Sequence, residues 1–259
     1  MTMVASASVQ QRLRNWRQTS EDRLPGSEHA PDFIERMGIV TLYPASPEFP
    51  NLFSAYVGDP TTKTDSGWDT PSGEIYTWRW TLGSQEVAFY SALIRRRLTW
   101  ISWSLFPVML RLCGELRSPH ELYHSGKLSA SAHRIIEVLE EVEEPLSTRE
   151  LRERAGFPRG TASRHLYLKA VEELESQMLL AKVFPDDEHT MYHTLVSQRY
   201  AEHAAAAKRL TQQEALHTFL LCYLSHAVSI DPARLAKDLK LPPADLNAAL
   251  TNLAVDQRT

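Results

Sequence analysis

RGTASRHLYLKAVEEL, Arg159–Leu174, decides how this chain is read. It follows LSTRELRERAGFP, Leu146–Pro158, in which Ser147 is followed three residues later by Glu150. That spacing caps a helix start, and Gly156 and Pro158 end the helix. A second helix then opens on Arg159, Gly160, Thr161, Ser163, Arg164 and His165, with Leu166, Ala170, Val171 and Leu174 forming an apolar side. Before the pair, SASAHRIIEVLEEVEE (129–144) reads as a helix on Ile135, Ile136, Val138 and Leu139. After it, MLLAKVF (178–184) and TMYHTLV (190–196) read as strands joined by the acidic turn PDDEH. Helix, helix, turn, helix, strand, wing, strand is the order of a winged helix-turn-helix, whose helix after the turn enters the DNA major groove. On it, Thr161 and Ser163 suit phosphate oxygens, and Arg159, Arg164, His165 and Lys169 suit phosphate or base edges. Winged helices also dock proteins or dimerise, so a non-DNA role stays open.

The motif recurs. A shift of 84 residues lays LSTRELRERAGFP on IDPARLAKDLKLP. Ser147 then meets Asp231, Leu151 meets Leu235, Phe157 meets Leu241 and Pro158 meets Pro242. The second unit ends before a full wing, and its last helix, ADLNAALTNL, carries no basic residue. It is expected to be structural. RYAEHAAAAKRL (199–210) connects the two units as a helix.

The first half is less regular. QQRLRNWRQTSEDRL reads as a basic helix within a tail, stopped by Pro25-Gly26. Phe33, Ile34 and Met37 share one face of a short helix that passes through Gly38 into the β-type run IVTLY. Pro44 to Gly73 is a long loop. EIYTWRWTLGS (74–84) alternates as a strand does, which puts Trp78 and Trp80 on one side as base-stacking candidates. SQEVAFYSALIRRR (84–97) reads as a helix capped by Ser84, with Val87, Tyr90, Ala92, Leu93 and Ile94 apolar. It ends on Arg95–Arg97, either a solvated helix end or a phosphate clamp, with Arg95 and Arg96 the candidates. Asp59, Asp65, Asp69 and Glu74 offer carboxylates, which turns use as readily as catalysis does.

Composition narrows the field. Of 259 residues 43% are hydrophobic and 23% charged, typical of a globular chain. The net charge is −4, yet Leu146–Ala170 holds six Lys or Arg against two Glu, so a DNA-binding surface is local. Cys113 and Cys222 form neither a zinc spacing nor a disulfide framework, and the ten histidines show no metal motif. No metal or cofactor is expected. The N-terminus lacks the apolar core of a secretory signal, and Leu98–Leu110 is too short for a bilayer. The expectation is a soluble, cytoplasmic, nucleoid-associated protein, a monomer or weak dimer on double-stranded DNA. The fold class is mainly α with small β wings, in tandem winged helix-turn-helix units. Residues 1–27 form a flexible basic tail, 28–125 an N-terminal winged-helix-like domain with a long loop, 126–200 a central winged helix, and 201–259 a C-terminal helix-turn-helix unit.

FIERMGIVTLYP, the W.W pair, YSALIRRRLTWISWSLFP and LSTRELRERAGF together resemble short members of the AlkZ (YcaQ-type) family over roughly residues 30 to 200. The resemblance implies tandem winged helices, DNA binding and excision of damaged bases. The family's glycosylases hold the attacking water with a Gln-x-Gln or related pair after a Gly-hydrophobic-hydrophobic step. In GIVTLYP that position is Thr41 and Tyr43, neither of which offers an amide. Thr41, Tyr43 and Asp69 are therefore the catalytic candidates for a monofunctional glycosylase. A non-catalytic transcription regulator and a protein-interaction module are the rivals.

Overall fold

The computed structural model describes residues 2–185 and 189–256. Its N-terminal unit runs α2 (Ala30–Met37), β1 (Ile39–Thr41), α3 (Leu52–Val57), α4 (Pro71–Ser84), β2 (Phe89–Ala92) and β3 (Leu98–Ile101), after an initial helix α1 (Thr2–Asn15). The three strands form an antiparallel sheet in the order β1-β3-β2, with Val40 and Tyr90 flanking Trp100. α2 forms because Ala30, Phe33, Ile34 and Met37 recur at helical spacing and bury together. Gly38 ends it at φ 72°, where a Cβ would lie 2.8 Å from Leu105 and 2.9 Å from Cys222.

Two expected elements exchange types. Residues 74–84 are helix, not strand: Thr70 caps α4 by accepting from the Gly73 N–H, Pro71 fills its first turn, and Ile75, Trp78 and Leu82 line its buried face. The period is helical, and the alternating aromatics only mimic a strand. Residues 84–97 are not one helix; they hold β2 and a short 3-10 turn, Ile94–Arg96. Phe89–Ala92 is buried on both faces, so the strand shows no alternation to mark it.

The link α5 (Phe106–Cys113) and α6 (Pro119–His124) leads to the central unit. This comprises α7 (Ala130–Glu140), β4 (Leu146–Ser147), α8 (Thr148–Arg154), α9 (Thr161–Ser176), β5 (Leu180–Val183) and β6 (Tyr192–Leu195). Its sheet order, β4-β6-β5, repeats that of the N-terminal unit, so both are winged helix-turn-helix units. Ser147 and Glu150 form the expected capping box. Ile135, Ile136, Leu139, Leu151, Phe157, Tyr167, Ala170 and Leu174 make the core, with Val138 and Val171 packed at its edge. Leu166 is not part of it: at 52% exposure it faces solvent, and Tyr167 takes the inward position. The acidic turn's residues 186–188 lie outside the described residues.

The chain ends in α10 (Val196–Arg199), α11 (Ala201–Arg209), α12 (Gln212–Ala227), α13 (Pro232–Leu239) and α14 (Pro243–Asp256). Asp231 caps α13 through the Arg234 N–H as Ser147 caps α8 through that of Glu150, so the repeat holds at the cap. Among the described residues no strand follows β6. α12 packs on α5, closing this unit against the first. No described helix is long and apolar enough to cross a membrane.

The expected tail is not free. α1 lies against α12, and Trp16, 4% exposed, donates from Nε1 to His226 Nδ1 at 3.0 Å. The other His226 nitrogen, Nε2, donates to the Met37 carbonyl at 3.0 Å. One nitrogen accepts and the other donates, which defines a neutral imidazole. Burial lowers its pKa to about 4; the Met37 bond opposes this, and Arg12 and Arg36 add to it. Burial and the Lys182 charge likewise bring His193 to about 3. Both rings stay neutral in the fold while unfolded histidine protonates below its ordinary pKa of 6.5, so unfolding takes up protons. Unfolding free energy is expected to fall as pH drops from about 6.5 toward 4, by about 1.4 kcal/mol per pH unit for each histidine. Urea denaturation across this window checks it. His226→Gln, whose amide keeps one donor and one acceptor, is expected to remove one histidine's share of the slope.

Candidate nucleic-acid interface

α9 divides by charge. Its carboxylates all lie near its C-terminus and are engaged. Glu172 pairs with Arg96 at 2.9 Å, Glu173 accepts from the Ser129 N–H and hydroxyl, and Glu175 pairs with Lys182 at 2.8 Å. The other end presents Thr161, Arg164, His165 and Lys169 to solvent, preceded by exposed Arg159. Among the described residues none of these three cations has a carboxylate partner. Ser163 differs from its neighbours: it shares the stripe of Tyr167, Ala170 and Leu174, and its Oγ is buried without a hydrogen-bond partner among the described residues. It therefore faces inward, away from a groove-reading surface. Beside α9, an open groove of about 1030 Å³ runs between α8 and β6, with Arg149, Arg152 and Arg159 in its lining. Arg152 donates to the Pro158 and Gly160 carbonyls and so fixes the turn.

The corresponding helix of the first unit, α4, is covered. Trp78 is 2% exposed, donates to Glu74 and packs edge-on to Tyr56. Trp80 meets Phe184 and His189 edge-on, both at 5.6 Å. A Cβ on Gly83 would lie 2.4 Å from Phe184, so that ring sits directly on the α4 backbone. The two base-stacking candidates are thus packing residues: Trp78 lies in the core of the first unit, and Trp80 meets Phe184 and His189 of the central unit.

Arg95 and Arg96 sit in the β2–β3 turn at φ 49° and 60°, a left-handed backbone that side chains rarely adopt. Arg95 pairs with Asp238 of α13 at 2.9 Å, and Arg96 pairs with Glu172. Asp238 is 0% exposed, and its other oxygen accepts from Ser46. Arg95 therefore neutralises a buried carboxylate rather than standing open as a clamp. Exposed Arg97 has no carboxylate partner among the described residues.

Thr41 is fully buried and donates its hydroxyl to the Tyr43 carbonyl at 2.8 Å. Tyr43 is half-buried and donates to the Ser72 carbonyl at 2.6 Å. Burial pushes the phenol's pKa up; Tyr76 adds to this, Arg79 opposes it and Asp65 adds again. Tyr43 separates two clefts, one of about 750 Å³ with Lys63, Asp65, Arg96 and Arg97, the other of about 200 Å³ with Asp65, Trp68, Ser72 and Tyr76. Asp59 accepts from Thr61 and Thr62, Asp65 from Gly67 and Thr70, and Glu74 from Trp78. Those three carboxylates hold turns or rings. Asp69 is exposed, has no partner among the described residues and lines neither cleft.

The model of the AlkZ-related family matches residues 24–240. This chain belongs to the AlkZ-related family. A comparison with curated protein sequences gives no significant match. Among solved structures, the Streptomyces sahachiroi DNA glycosylase AlkZ is similar at a TM-score of 0.51 and 15% identity. The likeness covers 94% of this chain and 64% of that one, so this chain spans less than two thirds of its length.

In this AlkZ-related chain Thr41 and Tyr43 lie together at the exit of β1, and each hydroxyl donates to a backbone carbonyl. Asp69, the third catalytic candidate, is not brought to them. Trp68, 71% exposed, lines the smaller cleft, and in the sequence it is a tryptophan set among Asp, Ser, Gly and Thr with no apolar neighbours. Arg95→Ala is expected to lower the unfolding free energy by about 1–3 kcal/mol, the cost of leaving the buried Asp238 carboxylate without its cation. Denaturant titration checks this, and an unchanged midpoint would return Arg95 to the surface cations.

Proposed function

We propose that the chain is a DNA-binding protein whose central winged helix contacts duplex DNA. The N-terminal half of α9 enters the major groove, while Arg149 and Arg159 meet phosphates. One observation carries this reading: α9 exposes Arg164 and Lys169, beside Arg159, with no carboxylate partner among the described residues, while its own glutamates are all engaged elsewhere. Family membership supports it, as does a solved relative that is a DNA glycosylase. The last helix carries acidic but no basic residues, and the aromatic side of α4 is taken up by packing, which favours the central unit as the DNA-facing one. On this reading the protein binds as a monomer or weak dimer, in the cytoplasm beside the nucleoid, and needs no metal or cofactor. With both hydroxyls at Thr41 and Tyr43 engaged, it inspects or regulates DNA rather than hydrolysing it there.

Fluorescence anisotropy on a labelled duplex across a salt series tests the assignment. Arg164→Ala is expected to weaken binding about tenfold and to lower the salt slope by about one. Unchanged affinity and slope would remove α9 from the interface.

Base excision is the second reading, and the unpartnered Asp69 carboxylate is the observation that favours it, since glycosidic hydrolysis needs an acidic group to guide water. Duplexes bearing uracil, hypoxanthine, an alkylated purine or an oxidised purine are expected to survive hot alkali after incubation with the protein. Strand cleavage that Asp69→Asn abolishes would establish the glycosylase instead.

A further inference from the structure

Trp68 is the most exposed large hydrophobic residue described, yet its loop is not loose. The Asp65 N–H donates to the Ser72 hydroxyl, and Asp65 Oδ1 accepts from the Gly67 N–H and the Thr70 hydroxyl. Thr70 Oγ1 also lies 2.7 Å from the Gly67 carbonyl oxygen and caps α4 by accepting from the Gly73 N–H. Gly73 admits no side chain: a Cβ there would lie 2.1 Å from the Trp68 carbonyl oxygen, so the loop folds directly onto the helix start. The indole is presented to water by a braced turn, with its edge contact on Tyr76 at 5.6 Å. The Arg79 guanidinium covers the Tyr76 ring at 3.6 Å. Trp68, Tyr76 and Tyr43 thus wall the cleft of about 200 Å³, a space suited to one planar ring. Through Tyr43 and Asp65 it adjoins the larger cleft, where Lys63 and Arg97 carry charge without a carboxylate partner among the described residues.

We infer that this is a nucleotide site that takes one unpaired base of DNA, stacked on Trp68, with its flanking phosphates on Lys63 and Arg97. Aromatic faces stack any base, and unpaired cations alongside track the backbone, so the pairing of the two clefts fits a strand leaving its helix. The inference rests on the reading that the chain binds DNA, and it assigns a second contact on the first unit, separate from α9. Asp69, next to the indole in sequence and unpaired, disfavours a phosphate on that side and leaves the Lys63–Arg97 side for the backbone.

The test compares three labelled probes by anisotropy: a fully paired duplex, the same duplex with one bulged thymine, and octathymidylate. The wild-type chain is expected to prefer the bulged duplex about tenfold. Trp68→Ala is expected to erase that preference and the octathymidylate binding without changing affinity for the paired duplex, and Trp68→Phe to keep most of both. Arg164→Ala is expected to weaken both duplexes equally. A wild type with no bulge preference and no octathymidylate binding overturns the site, as does a Trp68→Ala variant that keeps the preference or loses both duplexes alike. If neither duplex binds but octathymidylate does so through Trp68, the α9 reading falls and the stacking site stands.

Discussion

A buried ion pair organises the meeting of the two winged units. Glu175 near the end of α9 and Lys182 on β5 lie 2.8 Å apart, each side chain 6% exposed. The ammonium sits 5.3 Å from the centre of the Tyr90 ring, on the edge strand of the other sheet. The Glu175 carbonyl accepts from Ser91 on that same strand. A buried pair of this kind gains little net stability over an apolar packing, because desolvating both charges offsets their attraction. Its effect here is positional. An unpaired charge is costly in this setting, so β2, α9 and β5 are held in one register. That register spends the C-terminal half of α9 on the junction and leaves the other half outward. Burial, and after it the same lysine charge, keeps His193 neutral behind the pair.

The helix-turn-helix of the central unit was legible because its signals are local: a serine and a glutamate three residues apart, a glycine and proline stop, and apolar residues at helical spacing. The first unit was harder. Thr70 and Pro71 marked the start of α4, but Tyr76, Trp78 and Trp80 suggested a strand, and only Ile75 and Leu82 restored the helical period. β2 carried no alternation because α9 and β5 cover its second face. Trp16 looked like part of a tail because its partner, His226, stands 210 residues away. Arg95 and Trp80 misled for the same reason: Asp238 and Phe184 neutralise and cover them from distant parts of the chain. Local chemistry shows what a side chain can do, and only tertiary contact shows whether it is free to do it.

Thr41 and Tyr43 illustrate the point at the candidate site. Each hydroxyl could orient a water, and each already has a carbonyl to satisfy. Thr41 is buried, and Tyr43 stays partly open to the two clefts it lines. The exposed groups around those clefts include the Lys63 and Arg97 cations and the Trp68 ring.

The first unit also depends on α12 and α13 for the partners of its buried polar groups. His226 completes the surroundings of Trp16, Tyr223 donates to the buried Glu48 at 2.7 Å, and Asp238 receives Ser46 and Arg95. All three partners come from the last helices, and contacts so distant in sequence form slowly. Without α12 and α13 the first unit would leave Trp16, Glu48 and Arg95 without these partners. The first unit's core is thus completed from a distant part of the chain, and removing α12 and α13 would open it to solvent.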